Sequence, residues 1–154
     1  MKISEILSTG HVVLDVEAGN KEELIKRMVN ELRQDVDEAL LTQIKKAVLE
    51  REEVMSTGVG KGVAIPHAKI KDLEPNFAVF ARLKRPVDFG SVDDAPVSLV
   101  FLIVGGCAKS SYHIKILSKI SRLMNHDNFR HQLMMADSGE EVITLFRDEE
   151  EQPA

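Results

Sequence analysis

The stretch STGVGKGVAIPHAK, Ser56–Lys69, places three glycines at alternate positions ahead of a short apolar run, a proline and a histidine. Glycine lacks the Cβ that restricts φ, and backbone N–H groups in such a run can approach a bound anion closely. Pro66 has a fixed φ and stiffens the approach to His67. From these residues alone, the stretch is either a phosphate-binding loop beside a functional histidine or a surface loop with a solvated histidine.

The glycines match neither of two common phosphate-binding motifs. A P-loop requires G-x-x-x-x-G-K-[ST], but Gly60-Lys61 is followed by Gly62, and no earlier glycine stands at the required distance. The dinucleotide fingerprint G-x-G-x-x-G fails because Gly62 comes one residue too early. The sequence therefore does not predict a nucleotide site of either kind.

The composition is that of an ordinary globular protein. The chain has 154 residues, of which 44% are hydrophobic and 29% charged, and its net charge of −5 argues against a nucleic-acid partner. No apolar run approaches the roughly 18 residues of a membrane span, and the opening MKISEILSTG lacks the apolar region of a signal peptide. We expect a single domain over residues 1–154, located in the cytoplasm and without stable membrane insertion.

The sequence predicts neither a disulfide bond nor a metal-binding site. The single cysteine, Cys107, excludes an internal disulfide and a cysteine-based zinc site, and its thiol has no assigned role. His126 and His131 are five residues apart, which does not place them on one helix face, and no H-E-x-x-H motif occurs. We expect both histidines to be exposed and no metal to be bound.

Two helices are predicted before the glycine segment. Asn20, followed by Glu23, has the form of a capping box, and apolar residues at helical spacing predict a helix over residues 20–34. A second helix is predicted over Asp37–Glu52. Its buried face would contain Leu40, Ile44, Ala47 and Val48.

Continuing that face by three or four residues reaches Arg51, just before the glycine segment. The pattern thus aims a charged side chain inward at the end of the helix. The alternative is that Arg51 caps the C-terminus of its own helix, where a cation is favoured.

Strands are predicted around the glycine segment and in the middle of the chain. The segment 62–65 reads as a strand that ends at His67, and 97–104 is apolar enough to be a central strand buried on both faces. Turns are predicted at 86–90 and 93–96, with solvated Asp88, Asp93 and Asp94. Two further strands are predicted at 11–15 and 77–83.

The last third of the sequence is predicted to be helical. A break at 105–111 precedes a helix that begins near Tyr112, and His113 shares a face with Leu117, which places the imidazole toward the core. A helix over 128–136 would bury Met134 and Met135. Ser138 is predicted to cap the last helix, and the acidic end, 148–151, is predicted to fray.

The glycine segment resembles the active-site segment of the fructose/mannitol/nitrogen-type IIA proteins of the bacterial phosphoenolpyruvate:sugar phosphotransferase system. In that family, the histidine of a [ST]TG-x-G-x-G-[IV]-A-[IV]-P-H segment carries a phosphoryl group. Two other family features are an arginine followed by glutamate shortly before the glycines, and a second histidine in an H-[LI]-x-x-L-[SA] pattern. Arg51-Glu52 and His113–Ser118 match them.

The resemblance implies an α/β fold, a three-layer α/β/α arrangement with a central mixed β-sheet flanked by helices. It also implies that His67 accepts phosphate from an HPr-type phosphocarrier, that His113 and Arg51 stabilise the phosphoryl group, and that no cofactor is needed. The segment that would cradle the phosphate contains Ser56, Thr57, Gly58 and Gly60.

Three functions remain open at this point. The first is a regulatory phosphoryl carrier of the nitrogen branch, whose phosphorylation state switches binding to a regulated target protein. The second is a transport component that passes phosphate to a IIB domain for uptake of a fructose- or mannitol-like sugar. The third is a binding module on the same fold in which His67 is never phosphorylated.

Overall fold

The computed structural model describes residues 2–7, 9–107 and 110–152, which form a mixed β-sheet covered on both faces by helices. This confirms the predicted three-layer α/β/α architecture. The helices are α1 (Ile3–Ile6), α2 (Lys21–Asn30), α3 (Glu38–Val54), α4 (Ser110–Met124), α5 (Asp127–Met135) and α6 (Gly139–Glu151). The strands are β1 (Val12–Val16), β2 (Gly58–Gly60), β3 (Val63–Ala64), β4 (His67–Ile70), β5 (Phe77–Val87) and β6 (Val97–Gly106).

The sheet has the order β1-β5-β6-β3-β2, and β4 also pairs with β6. Strands β5 and β6 are antiparallel, whereas β1 runs parallel to β5, and both β3 and β4 run parallel to β6. Val63 pairs with Leu99 and His67 pairs with Ile103, so β3 and β4 occupy successive lengths of β6 in one register. The predicted strand does not end at His67; it is interrupted at residues 65–66 and resumes there.

Strand β6 is buried on both faces, as predicted. Leu99, Phe101 and Ile103 contact the layer that contains α1, α4, α5 and α6, while the intervening residues contact the layer of α2 and α3. The strand continues through Gly106 rather than breaking at residue 105, because Gly105 and Gly106 pair with β4. Of the predicted break at 105–111, Ala108 and Lys109 lie outside the described residues.

Strand β5 also extends beyond its predicted end at Leu83. The pairing with β6 shifts register after Arg82 and resumes where Val87 pairs with Val97. Pro86 lies within the irregular part, where a residue without an N–H is tolerated. The predicted turn at 86–90 is therefore shorter, and Asp88, Asp93 and Asp94 are exposed as expected.

The N-termini of α2 and α3 are where the sequence placed them. Asn20 accepts a hydrogen bond from the backbone of Glu23, and Asp37 accepts one from the backbone of Leu40. Helix α2 ends at Asn30, and turns follow in place of the predicted last turn of helix.

The buried face of α3 differs from the prediction by about one residue. It consists of Leu41, Ile44, Val48 and Glu52, whereas Leu40 and Ala47 are only partly buried. Since Val48 and Glu52 are four residues apart, they lie on the same face of the helix. The charged group that points inward is therefore Glu52, and Arg51 is half-buried; the prediction that Arg51 continues the buried face was wrong.

On the opposite face of the sheet, four phenylalanines form an aromatic cluster. The rings of Phe80, Phe101 and Phe129 each meet the ring of Phe146 edge-on, at centroid distances of 5.8, 5.4 and 5.0 Å. Met134 and Met135 do not join this core. They are 41% and 66% exposed, because α5 turns Phe129 and Leu133 inward. The prediction that these methionines fill the core was wrong.

The acidic end of α6 does not fray. Ser138 caps the helix, as predicted, and the helix continues to Glu151. The buried Glu150 carboxylate accepts hydrogen bonds from the backbone N–H groups of Ile3 and Ser4 and pairs with Lys119 Nζ at 2.8 Å. These contacts tie the first helix to the last.

Within the described residues, no helix is both long and apolar enough to cross a membrane.

Candidate functional site

His67 is the first residue of β4, directly after the interruption of the strand. Its Nδ1 lies 2.9 Å from the carbonyl oxygen of Ile65. Because a carbonyl oxygen only accepts hydrogen bonds, Nδ1 carries the proton and Nε2 keeps its lone pair in the neutral ring. The geometry therefore leaves Nε2 as a nucleophile.

The surroundings of His67 favour the neutral imidazole. Burial lowers the pKa of His67 below its ordinary value of 6.5, and the charges of Arg51 and Lys69 lower it further. The hydrogen bond to Ile65 and the charge of Glu52 oppose this decrease. Since the pKa lies below 6.5, His67 is mostly neutral at pH 7.

His113 lies in the first turns of α4 and is only 1% exposed. The centroid of its ring is 5.6 Å from that of His67, and the two rings are tilted by 55°. Among the described residues, neither ring nitrogen of His113 has a hydrogen-bond partner. Buried polar groups normally have one, so this imidazole is available to an oxygen atom placed between the two rings.

The His113 imidazole is neutral at physiological pH. Burial, followed by the charges of His67 and Lys69, lowers the pKa of His113 to about 4. A neutral imidazole has one N–H donor and one acceptor nitrogen. His113 can thus donate a hydrogen bond without adding a permanent charge to the site.

Gly105 on β6 makes room for His113. A Cβ atom at this position would lie 3.1 Å from Nδ1 of His113 and 2.4 Å from Oδ1 of Asn76. A larger residue would therefore push against the imidazole. This glycine is required by close packing, which the sequence pattern did not reveal.

Arg51 and His67 line the same depression on the surface. This depression has a volume of about 530 Å³, and its other lining residues are Ala47, Glu50, Val54, Ala68 and Lys69. Nη1 of Arg51 donates to the carbonyl of Met55 at 2.9 Å, so the arginine does cap its own helix. A guanidinium has five N–H donors, and this bond uses one of them.

The four residues expected to cradle a phosphate have structural contacts of their own. The Ser56 hydroxyl donates to the carbonyl of Phe89 and the Thr57 hydroxyl donates to Glu52, each at 2.5 Å. A Cβ on Gly58 would lie 2.2 Å from Oγ of Ser91. Gly60 has a φ of +98°, which a residue with a side chain rarely adopts.

None of these four residues lines the depression beside His67. The structure thus places His113 and Arg51 each beside His67, and it does not place Ser56, Thr57, Gly58 or Gly60 in the depression that His67 lines.

Two residues near His67 were given no role of their own in the sequence analysis. Glu52 is buried, and its charge raises the pKa of His67. Its position four residues after Val48 is the feature of the sequence that could have indicated its burial. Lys69 lies on the same side of β4 as His67 because side chains alternate along a strand. Among the described residues, no group of three His, Cys, Asp or Glu side chains could hold a metal ion.

The profile of one protein family matches residues 5–149, and its description is "Phosphoenolpyruvate-dependent sugar phosphotransferase system, EIIA 2". The chain is 36% identical over 145 residues to the PTS system fructose-specific EIIABC component of Bacillus subtilis. This match covers 94% of the chain but only 23% of that relative, so the chain spans about a quarter of its length.

Other relatives match over nearly their whole length. The nitrogen regulatory protein of Pseudomonas aeruginosa is 27% identical over 148 residues, which is 96% of each chain. The crystal structure of the nitrogen regulatory protein IIA-Ntr from Neisseria meningitidis superposes with a TM-score of 0.88 at 33% identity. That match covers 94% of this chain and 98% of the other.

Proposed function

The chain belongs to the EIIA 2 family of the phosphoenolpyruvate-dependent sugar phosphotransferase system, whose members are phosphoryl-transfer components, and we propose that it carries a phosphoryl group on Nε2 of His67. The observation that carries this proposal is the hydrogen bond from Nδ1 to the Ile65 carbonyl. It fixes the proton on one nitrogen and leaves the lone pair on the other. The buried His113 and the half-buried Arg51 lie beside it.

The transfer would be a direct displacement between two imidazoles. Nε2 of His67 attacks the phosphorus atom of a phosphohistidine on an HPr-type phosphocarrier. A new P–N bond forms as the old one breaks, and the electron pair stays on the leaving imidazole of the carrier. The proton on Nδ1 of His67 remains in its hydrogen bond throughout.

Arg51 and His113 would stabilise the transferred group. Phosphoryl transfer proceeds through a loose transition state in which charge is spread over three equatorial oxygens. Preorganised donors in a partly dry site stabilise such charge strongly. Arg51 supplies a fixed positive charge from the depression, and His113 supplies an N–H from the interior.

We propose the regulatory role of the nitrogen branch as the first candidate, with a regulated target protein as partner. Its support is the match to nitrogen regulatory proteins over nearly the full length of both chains. Sugar transport is the second candidate, in which phosphate passes to a IIB domain. The 36% identity to part of a fructose-specific component favours it.

The proposal is tested by measuring the intact mass after incubation with phosphoenolpyruvate, enzyme I and an HPr-type carrier. We expect a gain of one acid-labile phosphoryl group that His67→Ala loses and His131→Ala keeps, since His131 is an exposed residue of α5. Equal phosphorylation of His67→Ala would refute the assignment. No gain with either the sugar-type or the nitrogen-type carrier would leave the phosphate-independent binding module.

A second measurement separates regulation from transport. The phosphorylated chain is mixed with a purified fructose- or mannitol-type IIB domain, and loss of phosphate from His67 is followed by mass spectrometry. Rapid transfer would favour transport. A phosphoryl group that stays on His67 would favour the regulatory role.

A further inference from the structure

Beyond the residues that line the site, we infer that Glu52 is a positioning residue for His67 that acts through Thr57 and the peptide of Ile65. Glu52 does not touch the reacting nitrogen. It holds the backbone that holds the imidazole. The inference rests on the proposed phosphorylation of His67 for its functional meaning, but its structural content can be tested without any phosphate.

The first link joins Glu52 to Thr57. The Glu52 carboxylate is only 5% exposed, and both of its oxygens bind Thr57. Oε2 accepts from the backbone N–H at 2.8 Å, and Oε1 accepts from the hydroxyl at 2.5 Å. Hydrogen bonds to a charged acceptor are stronger than neutral ones, so Thr57 is held in both position and orientation.

The second link joins Thr57 to His67. The carbonyl of Thr57 accepts a hydrogen bond from the N–H of Ile65 at 3.0 Å. The carbonyl of Ile65 in turn accepts from Nδ1 of His67 at 2.9 Å. A continuous series of hydrogen bonds therefore connects Glu52, near the end of α3, to the imidazole of His67.

The interruption between β3 and β4 gives this chain of bonds its importance. Ile65 belongs to neither strand, because β3 ends at Ala64 and β4 begins at His67. Its N–H therefore depends on Thr57 rather than on a neighbouring strand. On the other side of the Ile65 carbonyl, the carbonyl of Pro66 accepts from the N–H of Ile103 in β6 at 3.0 Å. The bond to Thr57 therefore fixes the Ile65 peptide from the side that β6 does not hold.

A nearby cation, Lys21, allows the Glu52 carboxylate to be buried here. Nζ of Lys21 lies 3.3 Å from Oε2 of Glu52 and donates to the carbonyl of Phe89. The Ser56 hydroxyl donates to the same carbonyl. The start of α2, the end of α3 and the loop after β5 therefore converge on the residues that precede the glycines.

Loss of this support would change the proton position on His67. If Ile65 shifts, the bond to Nδ1 weakens and the tautomer with the proton on Nε2 becomes more populated. That tautomer has no lone pair at the reacting position. The negative charge of Glu52 also raises the pKa of His67, whose other charged neighbours are Arg51 and Lys69.

The experiment compares Glu52→Ala and Glu52→Gln with the exposed control Glu53→Gln. Imidazole ¹⁵N chemical shifts report the tautomer and pKa of His67 in the unphosphorylated protein, and mass spectrometry reports its rate of phosphorylation. We expect Glu52→Ala to mix the tautomers and to slow phosphorylation by about ten- to a hundredfold, as displaced reacting groups do.

The conservative variants distinguish positioning from bulk stability. Glu52→Gln keeps an oxygen that accepts from Thr57, so we expect the tautomer to be retained while the pKa of His67 falls. Thr57→Ser keeps the hydroxyl and should match the wild type. Thr57→Val has nearly the same shape without the hydroxyl, and it should shift the tautomer and slow the reaction in the same direction as Glu52→Ala.

A folded Glu52→Ala protein with the wild-type tautomer and rate would overturn the inference. If Glu52→Ala does not fold, the comparison of Thr57→Val with Thr57→Ser decides, and identical spectra and rates for the two would overturn it. A wild-type protein that is never phosphorylated would refute the proposed function. The spectra would still show whether Glu52 orients His67.

Discussion

The two imidazoles of the site are held neutral by burial, and this makes stability depend on pH. The folded protein has a pKa of about 4 at His113, whereas the unfolded chain has the ordinary value of 6.5. Between these values the unfolded state binds a proton that the folded state does not, so stability falls as the pH falls. The loss amounts to roughly 3 kcal/mol from pH 6.5 to pH 4.

This dependence can be measured by urea unfolding at pH 7 and at pH 4.5. We expect His113→Gln to flatten the change in the free energy of unfolding between the two pH values. The exposed residue His131 provides the control variant, His131→Gln, which should keep the wild-type slope. A slope in His113→Gln equal to that of the wild type would contradict the prediction.

Arg51 should affect both the pH profile and the rate of phosphorylation. Because His67 reacts as the neutral base, the rate should rise with pH and level off above its lowered pKa, with the midpoint below 6.5. Arg51 contributes to that lowering, so Arg51→Gln should move the midpoint to higher pH. Because Arg51→Gln also removes a donor to the phosphoryl group, the rate of phosphorylation at the high-pH plateau should fall by about a hundred- to a thousandfold.

The measurement is the initial rate of phosphorylation by the carrier from pH 5 to pH 8. Lys46→Gln serves as the control, because the Lys46 side chain is 77% exposed on the same helix. A plateau in Arg51→Gln equal to that of the wild type would show that the arginine does not stabilise the transferred group.

At the scale of single residues, the resemblance singled out His113 and Arg51, and each lies beside His67 in the structure; their roles toward a phosphoryl group stay predictions. The role of Glu52 was not predicted. A helix face inferred from apolar residues is uncertain by one position, and that single position decides whether Arg51 or Glu52 is buried. The hydrogen bonds of Glu52 depend on where the chain turns after α3, which no local pattern specifies.

At the scale of helices and strands, the C-terminal end of α6 gives the clearest prediction. The buried Glu150 satisfies two N–H groups at the start of α1 and pairs with Lys119. The first N–H groups of a helix have no partner within it, and a carboxylate is favoured there. Glu150→Ala should therefore lower the free energy of unfolding by about 2 to 4 kcal/mol.

Urea denaturation at pH 7 measures this loss. The control is Glu151→Ala, because Glu151 is 58% exposed and lies 3.8 Å from Lys2. We expect the control to stay within about 0.5 kcal/mol of the wild type, as exposed pairs contribute little. Equal effects for the two variants would mean that Glu150 does not hold α1.

The elements that the sequence predicted well are those that begin with a local cap. The side chains of Asn20, Asp37 and Ser138 each accept a hydrogen bond from the backbone N–H three residues later. The capping residue and the N–H that it binds therefore lie within one helical turn, and a local sequence pattern is enough to predict where the helix begins. The ends of elements were predicted less well. Strand β5 passes Pro86 and α6 passes Asp148 because distant partners, β6 and α1, hold them.

At the scale of the whole molecule, Phe146 joins the outer helices to the sheet. Its ring lies among Phe80, Phe101 and Phe129, and it is fully buried. Phe146→Ala should reduce the free energy of unfolding by about 3 to 5 kcal/mol, since a cavity remains among rings that cannot close it.

Chemical denaturation tests this prediction against Val92→Ala, a truncation at a residue that is 83% exposed. The control should change stability by less than about 0.5 kcal/mol. If Phe146→Ala proved as stable as the control, the aromatic cluster would not be what joins these two layers.

The layered architecture was predicted through a resemblance to known proteins, and the distribution of helices between the layers was not. Helices α4, α5 and α6 share one side with the short α1, while α2 and α3 cover the other. This division follows from which strand residues face each side. Because β6 is apolar except at Ser98, its sequence alone does not distinguish the two faces.

Because β3 and β4 share one register along β6, the direction of His67 depends on the number of residues between the two strands. Val63 and His67 pair with Leu99 and Ile103 at the same offset, so His67 falls on the side of the sheet that carries His113. Inserting or deleting a single residue between Ala64 and His67 would invert that parity and turn the imidazole away from His113. The direction of the nucleophile thus depends on how many residues separate β3 from β4 as well as on which residues they are.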